Sequence, residues 1–122
     1  MFHNKPMPRV NRQKPVDIFD TLINLANKST MQHKHAAIIY KNGEVIGAGY
    51  NYHVNYLSHQ FSCHAEIAAI QSCKKKDRQN LSDATLIVIR IGKDNEPRLS
   101  KPCANCQKEI QKYNIKKIFY ST

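Results

Sequence analysis

Two short motifs in the second half of the chain place metal-binding side chains at predicted helix starts: His64-Ala-Glu66 and Pro102-Cys-Ala-Asn-Cys106. Cys103 and Cys106 are three residues apart, so both sulfurs lie on one face of a first helical turn. A helix N-terminus stabilises negative charge, which favours the thiolate that zinc requires. With the imidazole of His64 the motifs supply three zinc ligands and leave a fourth tetrahedral position for water, the arrangement of catalytic sites.

Two further cysteines, Cys63 and Cys73, are the candidates for closing that fourth position and making the site structural. Cys63 adjoins His64 and should point elsewhere if His64 is a ligand. Cys73 lies about 2.5 helical turns farther along the same helix. Alone, the Cys-x-x-Cys spacing also suits a redox pair or half of a structural zinc site, but the His-Ala-Glu motif favours a catalytic site.

Glu66 lies two residues after His64, so it faces a different direction from the ligand yet stays beside the metal. Zinc lowers the pKa of bound water to about 7, and a neighbouring carboxylate can take that proton and pass it on. Taken by itself, Glu66 would be interpreted as a first-turn acid that balances the helix dipole. In the context of the metal ligands we predict that it is the catalytic proton carrier.

The chain has 122 residues, and 41% of them are hydrophobic. This length and composition predict one compact domain, which we place at residues 16–122. Residues 1–15 contain three prolines and four basic residues and are predicted to form a flexible basic arm. No apolar run approaches the roughly 20 residues that cross a bilayer, and the N-terminus lacks a secretory pattern. We therefore expect a soluble, cytoplasmic protein with reduced cysteines and no membrane partner.

Hydrophobic periodicity predicts an α/β fold in the order helix, hairpin, helix, strand, helix, strand. Alternation of strands and helices in the second half implies a mixed β-sheet with helices on both faces. The predicted elements are a helix from Val16 to about Lys28, strands His35–Tyr40 and Glu44–Tyr50 joined by a type I′ turn at Asn42 and Gly43, a helix from Cys63 to about Lys76 with Ser62 as N-cap, a buried strand Ala84–Ile91, a helix from Pro102 to about Tyr113, and a strand Ile115–Tyr120.

The two motifs, in this order of elements, resemble the cytidine and deoxycytidylate deaminase superfamily over roughly residues 16–122. The resemblance implies the three-layer fold of that superfamily and Zn²⁺ as the cofactor. It implies that His64, Cys103 and Cys106 bind the metal and that Glu66 shuttles the proton. The implied reaction is hydrolysis at C4 of cytosine, which releases ammonia and leaves the uracil form.

The resemblance also implies which residues contact the substrate. Asn51 follows Gly49 and Tyr50 at the position where relatives use Asn to hold the nucleoside, and an ordinary turn residue is the alternative interpretation. We predict Asn51, Tyr50 and Ala65 as substrate-binding residues. Relatives commonly form dimers or larger assemblies, so a homo-oligomer is expected.

Three features depart from many members of that superfamily. Ala68 occupies a position where many deoxycytidylate and tRNA-editing deaminases have Asn. The segment Arg90–Ser100 is longer than the junction in many relatives; with Arg90, Lys93, Arg98 and the following Lys101, it is either a phosphate grip or a solvated insertion. Because one strand follows the second metal helix, we expect the sheet to lack the last of the five usual strands.

The substrate is expected to be a free cytosine nucleoside or nucleotide, with dCMP favoured because basic residues could meet one phosphate. The net charge of +10 favours an alternative, a polynucleotide cytosine deaminase, in which Tyr50, Tyr52, His53 and Tyr56 stack on unpaired bases. Most of the scattered basic residues are interpreted as solvated surface charge. The third hypothesis, a non-catalytic zinc-stabilised nucleic-acid-binding module, would not require Glu66.

Overall fold

The computed structural model describes residues 18–56 and 59–122. The predicted basic arm at residues 1–15 lies outside the described residues. The elements are α1 Ile18–Ala26, β1 Lys34–Lys41, β2 Glu44–Tyr50, β3 Tyr52–Tyr56, β4 His59–Cys63, α2 Ala65–Ser72, α3 Lys75–Arg78, β5 Thr85–Ile91, β6 Pro97–Arg98, α4 Ala104–Lys112 and β7 Lys117–Tyr120. None of the described helices is long and apolar enough to cross a membrane.

The main sheet is mixed and contains five of the described strands in the order β2, β1, β5, followed by β6 and β7, which both pair with β5. The β1–β2, β1–β5 and β5–β6 pairs are antiparallel, whereas β5 and β7 are parallel. The fifth strand is the two-residue β6, which arises inside the segment that was expected to be a loop. The described sheet therefore has five strands because β6 is added to it, and no described strand follows β7.

The turn between β1 and β2 confirms the strongest local prediction. Asn42 has a φ of 52° and Gly43 a φ of 82°, so both central residues have the positive φ of a type I′ turn. Lys41 and Glu44 are paired directly across the turn. The hairpin therefore begins in the register that the Asn-Gly pair predicts.

The sheet has helices on both faces, as the sequence predicted. Because side chains alternate along a strand, β5 contributes Leu86 and Val88 to one face and Ile87 and Ile89 to the other. Helix α1 packs on the second face, whereas α2 and α4 contribute to the cluster on the first face. All four β5 side chains are buried, which confirms the prediction of a strand covered on both sides.

The polar segment after β2 is the main difference from the predicted elements. It forms a second, two-stranded sheet, in which β3 and β4 are antiparallel and Tyr52 is paired with Cys63. This pairing holds Cys63 in an extended conformation, so α2 cannot begin there. The helix begins at Ala65 with His64 as the N-cap residue, and Ser62 belongs to β4 instead.

Helix α2 lies directly against the backbone of β2. A Cβ atom on Gly47 would be 2.5 Å from the Sγ of Cys73, and a Cβ atom on Gly49 would be 2.6 Å from both the Cβ of Ala68 and the backbone N of Ala69. Ser72 also joins α2 to β2, because its hydroxyl accepts a hydrogen bond from the N–H of Ala48 at 2.8 Å. The two glycines thus set the position of the helix that begins beside His64.

Candidate metal centre and its pocket

Side chains of His64, Cys103 and Cys106 converge at the N-terminal ends of α2 and α4. His64 is the N-cap residue of α2, Cys103 is the N-cap residue of α4, and Cys106 lies in the first turn of α4. The Nδ1 atom of His64 is 3.1 Å from the Sγ of Cys106 and 3.7 Å from the Sγ of Cys103. All three potential ligand atoms lie within 4.8 Å of one another.

This geometry fits zinc. A tetrahedral zinc ion with Zn–S distances of about 2.3 Å and a Zn–N distance of about 2.0 Å holds a nitrogen and a sulfur ligand about 3.5 Å apart. The observed separations of 3.1 and 3.7 Å lie on either side of that value. Burial and the neighbouring Glu66 carboxylate raise the pKa of the Cys106 thiol, so a cation must displace its proton when it binds.

Neither of the other cysteines joins this group. Among the described residues, the cluster that could hold a metal consists of His64, Cys103 and Cys106 alone. The thiol of Cys63 faces the backbone O of His64 at 3.7 Å, and the buried thiol of Cys73 faces the backbone O of Ala69 at 3.6 Å. The described protein ligands thus number three, which leaves a tetrahedral metal with one position for water or substrate.

Glu66 is buried beside the ligand cluster and lines the adjacent pocket. Glu66 is only 5% exposed, whereas an acid that only balanced the helix dipole would be expected at the surface. Burial raises the pKa of its carboxyl group, while a backbone N–H, His64 and the thiol of Cys106 oppose that rise. The group is therefore closer to exchanging protons near neutral pH than an exposed glutamate is.

A pocket of about 470 Å³ opens beside the cluster, within the range of small-molecule sites. The polar part of its wall is rich in nitrogen-bearing side chains, and Glu66 is the only acid among the described residues that line it. The lining residues are Met31, Gln32, His33, His35, Asn51, His53, Ser62, His64, Ala65, Glu66, Ser100, Lys101 and Cys103. Such a wall favours an anionic ligand.

Of the three residues predicted to contact substrate, two lie at the pocket. Ala65 is fully buried in the wall. Asn51 also lines the pocket, with its Oδ1 accepting from the N–H of His35 at 2.9 Å and its Nδ2 donating to the carbonyl of His33 at 2.7 Å. Tyr50 is not among the described lining residues, and its ring packs edge-on against the ring of Tyr52 at 6.2 Å.

Sequence reasoning did not identify His33 and His35 as part of the pocket wall, and it named Lys101 only as one of four basic residues in a possible phosphate grip. His33 and His35 are two residues apart where β1 begins, so the period of a strand places them on one face. That signal was available. Their position at the pocket depends on the pairing of His35 with Arg90 across β1 and β5, which local sequence does not specify.

The basic residues of segment 90–101 have separate roles in the structure. Arg98 pairs with Asp94 at 3.1 Å within the β5–β6 hairpin, and Lys93 is exposed there. The Nη2 of Arg90 donates to the Nδ1 of His33 at 2.9 Å. Lys101 alone of these residues lines the pocket, so the segment is neither a simple solvated insertion nor a grip formed by all four.

A family model described as the cytidine and deoxycytidylate deaminase zinc-binding region matches residues 13–122. The chain belongs to that deaminase family. It is therefore a deaminase of the cytidine/deoxycytidylate type with zinc as its cofactor, as the motifs predicted. No curated protein matches the chain significantly.

Solved structures of deaminases share the fold. The dCMP deaminase of cyanophage S-TIM5, crystallised with dCMP and dUMP, is 22% identical with a TM-score of 0.63, and the match covers 84% of this chain and 76% of that chain. Guanine deaminase from Bacillus subtilis is 21% identical with a TM-score of 0.56, and the match covers 85% of this chain and 61% of that chain. These similarities confirm the predicted α/β deaminase fold.

A bifunctional enzyme also contains this fold. The diaminohydroxyphosphoribosylaminopyrimidine deaminase/reductase of Thermotoga maritima is 26% identical with a TM-score of 0.56. The match covers 84% of this chain but only 28% of that chain. Deaminases named for different substrates thus share this fold, and the fold alone does not select the substrate.

Proposed function

We propose that this deaminase converts a cytosine nucleotide, dCMP, to dUMP with release of ammonia. The observation that carries the proposal is a buried carboxylate, Glu66, beside three convergent zinc ligands in a pocket that contains no other acid among its described lining residues. An anionic nucleotide suits this wall better than an uncharged nucleoside. The similarity to a deaminase crystallised with dCMP and dUMP supports the same substrate class.

Zinc, when bound, supplies a Lewis acid that activates water. His64, Cys103 and Cys106 would hold it, while Glu66 takes a proton from water and delivers it to N3 of the cytosine ring. The water oxygen adds to C4, and a second transfer through the same carboxylate moves the remaining water proton to the amino group. The amino group then leaves C4 as ammonia, and the oxygen stays on the ring as the carbonyl. Burial, which raises the pKa of Glu66, suits a group that must both gain and lose a proton in each turnover.

Asn51 and Ala65 belong to the proposed pocket wall. The amide of Asn51 already bonds the backbone at residues 33 and 35, so its main contribution is to hold that wall in place, with one remaining carbonyl lone pair available to substrate. The small side chain of Ala65 leaves space beside Glu66. Tyr50 is left out of the proposed site because its ring packs against Tyr52.

The substitution Glu66→Gln tests the assigned chemistry. Gln has nearly the same shape and cannot carry the proton, so the variant should fold and retain zinc while ammonia release falls by about 10²- to 10⁴-fold. Zinc content, circular dichroism and ammonia release would be measured on the purified variant and the unsubstituted protein. Unchanged turnover would show that Glu66 is not the proton carrier.

A substrate panel tests the choice of dCMP. Cytidine, deoxycytidine, CMP, dCMP, dCTP, guanine and single-stranded DNA and RNA would be incubated with the zinc-loaded protein, with product formation measured by chromatography. We expect the highest kcat/KM for dCMP. Activity confined to the polymers would support a polynucleotide deaminase, an alternative favoured by the net charge of +10 and by Tyr52, which is 41% exposed.

A further inference from the structure

We propose that Lys101, together with His33 held by Arg90, forms a subsite that binds the substrate phosphate and makes the enzyme select a nucleotide over its nucleoside. This inference rests on the proposed function and assigns its specificity to named residues. Both Lys101 and His33 line the pocket whose wall also includes His64, Cys103 and Glu66.

Lys101 extends from a fixed stretch of backbone. The preceding residue, Ser100, is 3% exposed; its N–H donates to the carbonyl of Ser121 at 2.9 Å, and its hydroxyl donates to the carbonyl of Val88 at 3.0 Å. The Lys101 side chain itself has no hydrogen-bond or ion-pair partner among the described residues. An anchored backbone with an unpaired ammonium group at the pocket is suited to binding an anion.

His33 presents a hydrogen-bond donor whose orientation is set by Arg90. The guanidinium Nη2 of Arg90 lies 2.9 Å from the Nδ1 of His33. A guanidinium can only donate, so this Nδ1 accepts and the remaining ring proton lies on Nε2. Nε2–H is the donor that phosphate oxygens require, and the fixed charge of Arg90 lies directly behind it.

Arg90 is held in turn by the sheet. Its backbone N–H donates to the hydroxyl of Ser121 at 3.0 Å, and its Nε is buried with no hydrogen-bond partner among the described residues. The other arginine of this hairpin, Arg98, is committed to Asp94 through two contacts of 3.1 Å. Arg90 thus contacts a residue of the pocket wall, whereas Arg98 contacts Asp94 within the hairpin.

The charge balance of the wall supports an anion at this position. Glu66 is the only acid among the described lining residues, and it is assigned to the proton transfers on the base. No carboxylate in the described wall is therefore available to neutralise Lys101. A phosphate supplies the negative charge that the wall otherwise lacks.

The first test compares nucleotide and nucleoside as substrates of the Lys101→Gln variant. We expect kcat/KM for dCMP to fall by about tenfold or more, mainly through KM, while kcat/KM for deoxycytidine stays unchanged. Lys93→Gln is the matched control, because Lys93 is an exposed lysine of the same segment that does not line the described pocket. An equal loss for both substrates, or no loss for dCMP, would overturn the assignment.

The second test concerns Arg90 as a positioning residue. His33→Gln and Arg90→Lys should each lower kcat/KM for dCMP about threefold to tenfold without changing that for deoxycytidine, and the double variant should lose little more than either single variant. A purely structural role would reduce deoxycytidine turnover in parallel. Such a parallel reduction, or fully additive losses, would contradict the proposed coupling.

A binding measurement separates this inference from the proposed reaction. Titration calorimetry of the zinc-loaded protein with dUMP and deoxyuridine should give tighter binding of dUMP, and Lys101→Gln should remove that difference. If the protein deaminates no cytosine substrate while dUMP binding still depends on Lys101, the proposed function fails and the phosphate subsite stands. Equal affinities for dUMP and deoxyuridine in the unsubstituted protein would exclude the subsite.

Discussion

Polar side chains in this pocket also hold its wall together through hydrogen bonds to the backbone. Asn51 is 6% exposed and bonds the backbone of His33 and His35 through both ends of its amide. Its backbone N–H also donates to the carbonyl of His35 at 3.2 Å. One side chain thus joins the end of β2 to the start of β1 and holds two histidines at the pocket.

The substitution Asn51→Ala should therefore destabilise the fold as well as reduce activity. It leaves a partly buried N–H and a carbonyl without their partner, which costs about 1–3 kcal/mol in the free energy of unfolding. Asn80→Ala is the matched control, because Asn80 also accepts from a backbone N–H, that of Ser82 at 3.0 Å, but is exposed. Urea unfolding would measure both, and equal losses would contradict the structural role of Asn51.

His35 should make stability depend on pH. Burial lowers its pKa, and the charges of Arg90, His64 and His33 act in the same direction, against a hydrogen bond to the carbonyl of His33. Because the unfolded chain then binds the proton more readily, stability falls as pH drops through the ordinary value of 6.5 and levels off below the folded-state pKa. In His35→Gln, the free energy of unfolding should fall less between about pH 7.5 and 5.5, and an unchanged slope would contradict this assignment.

At the scale of elements, the position of α2 depends on two glycines in β2. A Cβ on Gly49 would meet the Cβ of Ala68 and the backbone of Ala69 at 2.6 Å, and neither can move without moving the helix. Ala68, a departure from many relatives, thus packs against Gly49. Since α2 begins beside His64, the strand–helix contact also sets one side of the metal cluster.

We expect Gly49→Ala to lower the free energy of unfolding by about 1–3 kcal/mol and to weaken zinc binding. Gly92→Ala is the control, because a Cβ there would approach the flexible side-chain ends of Arg98 and Asp94, at 2.7 and 3.0 Å. Urea unfolding and competition with a chromophoric zinc chelator would compare the variants. Equal stability of Gly49→Ala and the unsubstituted protein would contradict the close packing of α2 on β2.

Local sequence predicted those elements whose signals are themselves local. The Asn42–Gly43 turn depends on two residues that tolerate positive φ, and β5 on a run of apolar residues buried on both sides. The β3–β4 hairpin was missed because β4 is mostly polar and no Asn-Gly pair separates the two strands, although β3 alternates apolar and polar residues. The start of α2 was misplaced by two residues for the related reason that cross-strand pairing extends Cys63.

The candidate site also contains residues that local motifs predict and residues that depend on the fold. His64, Glu66, Cys103 and Cys106 were predictable because metal chemistry restricts both residue type and spacing within a motif. His33 was not, since it reaches the pocket through the pairing of β1 with β5. Lys101 directly precedes the second motif and was predicted only as part of either a phosphate grip or a solvated insertion. A pocket residue that depends on sheet pairing is therefore harder to predict from one sequence than residues whose type and spacing are restricted by metal binding.

Across the whole molecule, the metal ligands connect elements that the chain separates. His64 and Cys106 are 42 residues apart, with β5 between them, yet Nδ1 and Sγ lie 3.1 Å from each other. A metal bound there links the starts of α2 and α4 on one face of the sheet. Since such binding requires the folded arrangement, its free energy adds to the stability of the fold.

Removal of zinc should therefore lower the melting temperature of the whole domain. Zinc at about 1,000 times its Kd stabilises a folded protein by about 4 kcal/mol, so a strong chelator should reduce Tm by on the order of 10 °C, and added zinc should restore it. Because the chain has no tryptophan, far-ultraviolet circular dichroism is the suitable measurement. Cys106→Ser should have a low Tm that the chelator changes little. Cys63 lies outside the ligand cluster, so Cys63→Ser should show the same loss of Tm with chelator as the unsubstituted protein. A Tm that is the same with and without chelator would contradict a metal that joins the two helices.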